Sequence, residues 1–406
     1  MLKLTKGIIE TLAEQYGNAF YLLDSCQFQS NFTHLSNEFK KIYSNFNIAY
    51  SYKTNYTPKL CKIINDNGGY AEVVSDMEAE IALRVGVHPT KIIYNGPVKN
   101  TDKVNNLLIA GGTVNLDSVY ELENIIHLAE MHPDKTLNVG IRCNFDVGDG
   151  VVSRFGLDTE SDDFENVLNI FKSNKNIRLI NLQCHFAKRN VEFWPARAEG
   201  MAKTAQRVSD ALGYIPERVD IGGGIYGNMD DDLKSQFSVK IPEYSEYAKA
   251  AATVFKTYFP DEKPELVIEP GSALAGDCMV FAGRVETIKN IRGKTYITML
   301  GSQKNIGMAG INPPMKVISM GGKSCDFTDA DIVGYTCIEG DVMYRGFNGQ
   351  LAVGDFLVFS NCGSYSLVMK PPFILPNFPV LDICNNEVEV IKQQETFDDI
   401  FHTFSF

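Results

Sequence analysis

Phe46-Asn47-Ile48-Ala49-Tyr50-Ser51-Tyr52-Lys53-Thr54-Asn55 is an apolar, β-leaning run that ends on a lysine. Its length and composition are those of a strand, and Lys53 stands where the chain leaves the sheet. A lysine there can point into a site, where apolar or cationic neighbours would lower its pKa and free the amine as a nucleophile. On its own the residue reads better as a solvated strand cap. The surrounding chain decides between the two.

Outward from this run a regular rhythm appears. Strand-like stretches at Phe46 to Tyr52, Tyr70 to Val74, Ile92 to Asn95 and Val114 to Asp117 alternate with helix-length amphipathic segments. Four more continue it: Leu137 to Cys143, Leu179 to His185, Arg218 to Gly222 and Leu266 to Glu269. Alternating βα units build a parallel sheet, and eight of them in roughly 250 residues is the count for a closed (β/α)8 barrel of the TIM type. After about Asp277 the spacing tightens to strand-like runs at Tyr296 to Leu300, Asp331 to Tyr335, Phe356 to Ser360 and Val388 to Ile391, without long helices. The expected class is therefore α/β: a barrel over 28–276 and an all-β domain from 1–27 and 277–406, joined by the early strand near Tyr21.

Composition narrows the function. The chain has 406 residues, enough for two domains, and a net charge of -12 with no Lys/Arg-rich run. Nucleic-acid binding needs clustered positive charge, so a small-molecule substrate is expected and no nucleic-acid partner. Residues 1 to 17 lack the continuous apolar stretch of a signal peptide and nothing approaches a membrane span, which leads us to expect a cytoplasmic protein. Nine cysteines without a C-x-x-C pair read as reduced thiols, and six histidines without ligand spacing predict no metal.

Barrel active sites lie at the carboxyl ends of the strands. There the sequence places Lys53, Glu72, Ser75, Asn95, Lys99, Asp117, Ser118, Arg142, His185, Gly222-Gly223-Gly224 and Glu269-Pro270-Gly271. So many polar groups on one rim are hard to explain as surface decoration.

Tyr50 to Asn55, Val74-Ser75 with Glu78, Gly222 to Gly224, Glu269-Pro270-Gly271, Cys337 with Asp341, and Gly363-Ser364-Tyr365 together resemble the pyridoxal-phosphate decarboxylases of the alanine racemase fold type. That group includes the diaminopimelate and ornithine decarboxylases, and the likeness covers nearly the whole chain. It implies pyridoxal 5'-phosphate as cofactor, with Lys53 as the Schiff-base lysine. Gly222, Gly223, Gly224 and Tyr365 would hold the phosphate, and Glu269 would face the pyridine nitrogen. His185 would stack on the ring and Arg142 would approach its phenolic oxygen, with Glu72, Gly271 and Ser272 completing the cofactor set. The resemblance further implies a homodimer with shared active sites, in which Cys337 is lent to the neighbouring subunit to return a proton after carbon dioxide leaves. For the substrate, Lys316 and Glu339 are the candidates to read its far end, and Asp341 stands with them in the substrate-binding set.

The sequence departs from the diaminopimelate enzymes at the positions that read the far end of the substrate. Ser272 replaces an arginine, Asn312-Pro313-Pro314-Met315-Lys316 stands where they have Arg-Pro-x-Leu-Tyr, and Ile338 follows Cys337 where they have glutamate. The ending from Gly363 to Ile374, with Ser153-Arg154-Phe155-Gly156, is similar to the branch in siderophore and antibiotic biosynthesis. The expected substrate is accordingly a conjugated or modified diamino acid. The alternatives are ordinary diaminopimelate decarboxylation, an amino-acid racemase, against which Glu269 argues, and a non-catalytic cofactor-binding regulator.

Overall fold

The computed structural model describes residues 4–307, 311–385 and 387–405. The chain forms two compact units: one of residues 30–226 and 241–273, the other of the stretch up to Gln29, Gly227–Lys240 and everything from Leu274 onward.

The first unit is a closed barrel of eight parallel strands: Phe46–Ser51, Tyr70–Val73, Ile92–Tyr94, Thr113–Leu116, Leu137–Asn144, Ile177–Gln183, Arg218–Asp220 and Glu265–Ile268. Each pairs with the next, and the eighth closes on the first with Leu266 opposite Phe46 and Ile268 opposite Ile48. The expected (β/α)8 architecture is therefore present, with strand limits within a residue or two of those read from the sequence. Strands covered on both faces bury nearly every side chain, and Tyr70–Val73 and Ile92–Tyr94 are buried throughout. Local chemistry starts and stops the intervening helices. The Ser75 side chain caps Asp76–Arg84, Asn100 caps Thr101–Ile109 and Ser161 caps Asp162–Ser173, each accepting a first-turn N–H. Gly213, with φ 77°, ends Trp194–Leu212 in the left-handed conformation.

In the second unit the strand Ala19–Leu23 is antiparallel to Met279–Ile291, with Tyr21 opposite Phe281, and parallel to Val380–Cys384. The early strand thus joins the β domain as its apolar pattern suggested. Its core gathers Phe20, Leu22, Val280, Ala282, Phe356, Val358 and Leu381 beneath Ile9 and Leu12 of the helix Lys6–Tyr16. The strands Met279–Ile291, Met315–Ile318, Val342–Leu351 and Val380–Cys384 were not among the expected runs. Met279–Ile291 is buried at its start and exposed at its end, so no single periodicity marks it.

One expectation about the cysteines is corrected. Cys26 and Cys384 are joined by a disulfide across 358 residues, with their Cα atoms 5.5 Å apart, while the other seven are free thiols. The fold brings the start of the helix Ser25–Lys40 to the end of Val380–Cys384, where Asp382 accepts the Ser25 N–H at 2.9 Å and its hydroxyl at 2.7 Å. Spacing along the sequence carries no sign of so distant a meeting. Among the described residues no helix is long and apolar enough to cross a membrane.

Candidate active site

Lys53 lies in the short turn Tyr52–Thr54 directly after the first barrel strand. Its Nζ is 2.8 Å from Oε2 of Glu72, a fully buried residue of the second strand. The same oxygen accepts the Ser51 hydroxyl at 2.5 Å. The turn is tied to the end of the eighth strand, where Pro270 O accepts the Ser51 N–H at 3.3 Å. Gly271 must be glycine there: a Cβ would stand 1.9 Å from Thr54 Oγ1. Ser272, half-buried, follows at the head of a short helix.

Glu269 is buried just past the eighth strand and accepts from several donors. Asn95 Nδ2 reaches its Oε1 at 2.6 Å, and Gln183 Nε2 lies 3.1 Å from both oxygens. His185 Nδ1 stands 3.6 Å from Oε2 and accepts the N–H of Gly223 at 3.1 Å. Burial alone would push this carboxyl up. The interaction with His185 and the charges of Lys53, His185 and Arg142 outweigh it and hold the pKa down at about 2. Burial likewise lowers the His185 pKa, assisted by Lys53 and Arg142 and opposed by Glu269.

The glycine run forms a cradle that side chains would fill. A Cβ on Gly222 would lie 2.1 Å from Cys184 O, and one on Gly223 would lie 2.2 Å from Glu269 O. Only glycine fits at either position, and it is the Gly224 end of the run, where an added Cβ would have no neighbour nearer than 3.6 Å, that leaves backbone open to an anion such as a phosphate. Two buried residues outside the expected set fix this loop. Asp220 Oδ1 accepts the Gly222 N–H at 2.8 Å, and burial, reinforced by the charge of Glu269, raises its pKa well above the ordinary range. Arg197, fully buried, donates to Gly223 O at 2.8 Å and to Phe186 O and Lys188 O. Asn181 and Gln183 alternate with apolar residues on one strand, as Arg218 and Asp220 do on another; that period of two in otherwise apolar runs is the signal that could have found them.

Arg142 is held by Asp117, whose Oδ1 lies 3.6 Å from its Nη1 and also accepts the Gly156 N–H at 3.2 Å. It opens into a cleft of about 430 Å³ lined by Arg142, Ser153, Arg154, Phe155, His185 and Phe186. Arg154 is exposed and lies over the Phe155 ring at 4.0 Å; among the described residues it pairs with no carboxylate.

The remaining expected residues belong to the β unit. Cys337 and Glu339 are exposed on the loop between Cys325–Val333 and Val342–Leu351, and Lys316 is exposed on Met315–Ile318. Asp341 is buried, with Oδ1 accepting the Gln303 N–H at 2.7 Å and Oδ2 the Thr336 hydroxyl at 2.6 Å, so its carboxylate organises that loop. Tyr365 has φ 57°, a left-handed conformation uncommon for an aromatic residue. Beside it, a Cβ on Gly363 would lie 1.7 Å from Ala275 O.

Within the barrel unit, then, the structure assembles the lysine with its carboxylate, a second carboxylate that stays ionised, an imidazole and a bare glycine cradle. These residues fit pyridoxal phosphate: an amine for the aldehyde, a cradle for the phosphate and an anion for the ring nitrogen.

Comparison with known proteins agrees. The model of the pyridoxal-dependent decarboxylase family, pyridoxal binding domain, matches residues 29–276. The diaminopimelate decarboxylase of Methanothermobacter thermautotrophicus is 25% identical over 419 residues, spanning 96% of this chain and 92% of its own. A probable chloroplastic diaminopimelate decarboxylase of Oryza sativa subsp. japonica is 27% identical, spanning 95% of this chain and 79% of its own. In fold, the chain is similar to the crystal structure of diaminopimelate decarboxylase from M. jannaschii, with a TM-score of 0.83 and 21% identity over 98% of this chain and 94% of that one.

These relatives overturn the expectation of a conjugated or modified diamino acid as substrate. That expectation rested on missing charges at Ser272, Asn312 and Ile338. Neutral residues at three positions do not strip a site of cations, because Arg142 and Arg154 both line the cleft beside His185. The racemase and the non-catalytic regulator lose their support as well.

Proposed function

Because this chain belongs to the pyridoxal-dependent decarboxylases, we propose that it is a diaminopimelate decarboxylase, which breaks one α-carbon–carboxylate bond, releases carbon dioxide and leaves lysine. That the chain is a pyridoxal-phosphate carboxy-lyase follows from the family; the substrate is the proposal. The observation that carries it is the shared name of the curated relatives aligned over 95% or more of the chain.

Bound pyridoxal phosphate supplies an electron sink for the pair left behind when the carboxylate departs. The protein's share is placement and charge. Lys53, aligned by Glu72, would provide the amine that holds the cofactor. Glu269, held ionised by its neighbours, would be the anion that keeps a proton on the ring nitrogen. Gly222 to Gly224 would hold the phosphate, to which the family resemblance adds Tyr365, and His185 would lie against the ring. Gly271 and Ser272 border the same turn.

At the far end of the substrate, we assign the distal carboxylate to Arg154, with Arg142 nearer the ring. The support is an exposed guanidinium without a carboxylate partner on the wall of a cleft shared with His185. A buried carboxylate without a cation would cost several kcal/mol, so some such residue is required. Lys316 and Glu339 remain candidates for the distal ammonium and its surroundings, with Asp341 shaping their loop.

The functional unit in this reading is a homodimer with shared sites, in which Cys337 of the partner subunit returns a proton to the α-carbon. The exposure of Cys337 in the single chain supports this. Separately from the substrate, the likeness of Gly363 to Ile374 to the siderophore and antibiotic branch supports a common lineage with it. The test of the activity is to incubate the cofactor-loaded enzyme with meso-diaminopimelate and measure carbon dioxide and lysine. Equal amounts of both support the proposal, and neither product above the no-enzyme control refutes it.

A further inference from the structure

Three asparagines cross the barrel interior in a line that ends on both acids of the site. Asn181 Nδ2 donates to Asn115 Oδ1 at 2.9 Å, and Asn115 Nδ2 donates to Asn95 Oδ1 at 2.6 Å. Asn95 Nδ2 then divides its two protons between Glu72 Oε1 at 2.9 Å and Glu269 Oε1 at 2.6 Å. All five side chains are buried.

The direction of the line is fixed by the acids. An amide nitrogen carries two donors and no acceptor, so turning Asn95 over would set its carbonyl oxygen against two carboxylates. The far amides bear the cost of this orientation. Among the described residues Asn181 Oδ1 and Gln183 Oε1 are buried without a hydrogen-bond partner, while the nitrogens of the same groups point toward Asn115 and Glu269. An unpaired buried carbonyl is unfavourable, so this polarity is held against a penalty.

The barrel wall is also cut away for the line. Gly140 lies on the fifth strand, where a Cβ would stand 1.7 Å from Asn115 Oδ1, and the pairing of that strand with the sixth shifts register between Val139 and Gly140. Alanine at 140 would displace the middle amide.

We propose that Asn95, backed by Asn115 and Asn181, is a positioning residue that bridges Glu72 and Glu269 and holds Glu269 as the anionic partner of the ring nitrogen. Two buried carboxyl groups brought together tend to share a proton, leaving one neutral. A donor pair between them removes the need to share. Both side chains have work: Glu72 aligns Lys53, and Glu269 would face the ring nitrogen. The ionisable neighbours of the pair are Lys53, Glu78, His185, Arg142 and Asp220. The inference rests on the cofactor, which the family establishes, and not on which amino acid is the substrate.

The test loads the protein with pyridoxal phosphate carrying ¹⁵N in its ring and reads the nitrogen shift by NMR with no substrate present. The parent protein should show a protonated ring nitrogen. Asn95→Leu should move the signal toward that of neutral pyridine, and Gly140→Ala should move it the same way by less. In turnover, Asn95→Leu should lower kcat roughly 100-fold, the lower end of the scale for one oriented donor, with KM within about two-fold. If Asn95→Leu does not fold, Gly140→Ala decides on the same signal. A protonated ring nitrogen, unchanged in every variant that folds and binds cofactor, would overturn the proposal.

Discussion

Lys53 Nζ lies 2.8 Å from Glu72 Oε2, joining the turn after the first barrel strand to the second strand. The pair explains how a lysine that is a third exposed can still be held in one place. Borohydride treatment of the cofactor-loaded protein should therefore fix the label on the peptide containing Lys53. Lys53→Ala should still bind cofactor through the glycine cradle and fail to turn over. A label on any other lysine would show the residue to be misassigned.

Glu269 is expected to be ionised over the whole working range, since its pKa is held at about 2. Glu269→Gln keeps the shape and removes the charge, and should cut turnover by roughly 100-fold, the scale of one lost electrostatic partner in a buried site. The acid limb of the kcat/KM profile should belong to another group. A near-normal rate in Glu269→Gln with cofactor bound would refute the assignment.

Glu78 behaves in the opposite way. Burial raises its pKa from 4.5 to about 7, against the Val74 N–H it accepts at 2.8 Å. The folded chain then holds this proton more tightly than the unfolded chain, so its contribution to stability falls as pH rises from 4.5 to about 7 and is flat above. The slope is bounded at roughly 1.4 kcal/mol per pH unit. Glu78→Gln keeps an acceptor for Val74 and should flatten that segment of the denaturation-midpoint-against-pH curve; an unaltered slope would mean that another group sets it.

Shared sites can be tested by mixing inactive Lys53→Ala chains with inactive Cys337→Ala chains. In a two-fold dimer both lesions fall in one site of each mixed molecule and the other site is intact. Roughly a quarter of full activity should return, because about half the dimers are mixed and each has one good site. No recovery after demonstrated subunit exchange would exclude sharing.

Much of the barrel was legible because its strands are short apolar runs at even spacing, each ending on a polar residue such as Lys53, Glu72 or Glu269. What escaped were polar residues inside those runs. Asn115, Asn181, Gln183 and Asp220 read as interruptions of an apolar pattern, and it is closure of the sheet that joins Asn181 to Asn115, Gln183 to Glu269 and Asp220 to the Gly222 N–H. The link between Cys26 and Cys384 escaped for the same reason, since a meeting across 358 residues is a property of topology. The expectation of a conjugated substrate rests on the neutral residues Ser272, Asn312 and Ile338, whereas the cleft beside His185 takes its exposed guanidinium from Arg154, on a different loop.

The most direct test of the assigned function compares kcat/KM for meso-diaminopimelate, lysine, ornithine and a citryl-conjugated diamino acid, in the parent enzyme and in Arg154→Ala. A site built to pair with the substrate's far end discriminates by orders of magnitude. Diaminopimelate should be preferred over each of the others by about 100-fold or more, and Arg154→Ala should lose most of that preference through KM. Efficient turnover of the conjugated amino acid with little or none of free diaminopimelate would contradict the account.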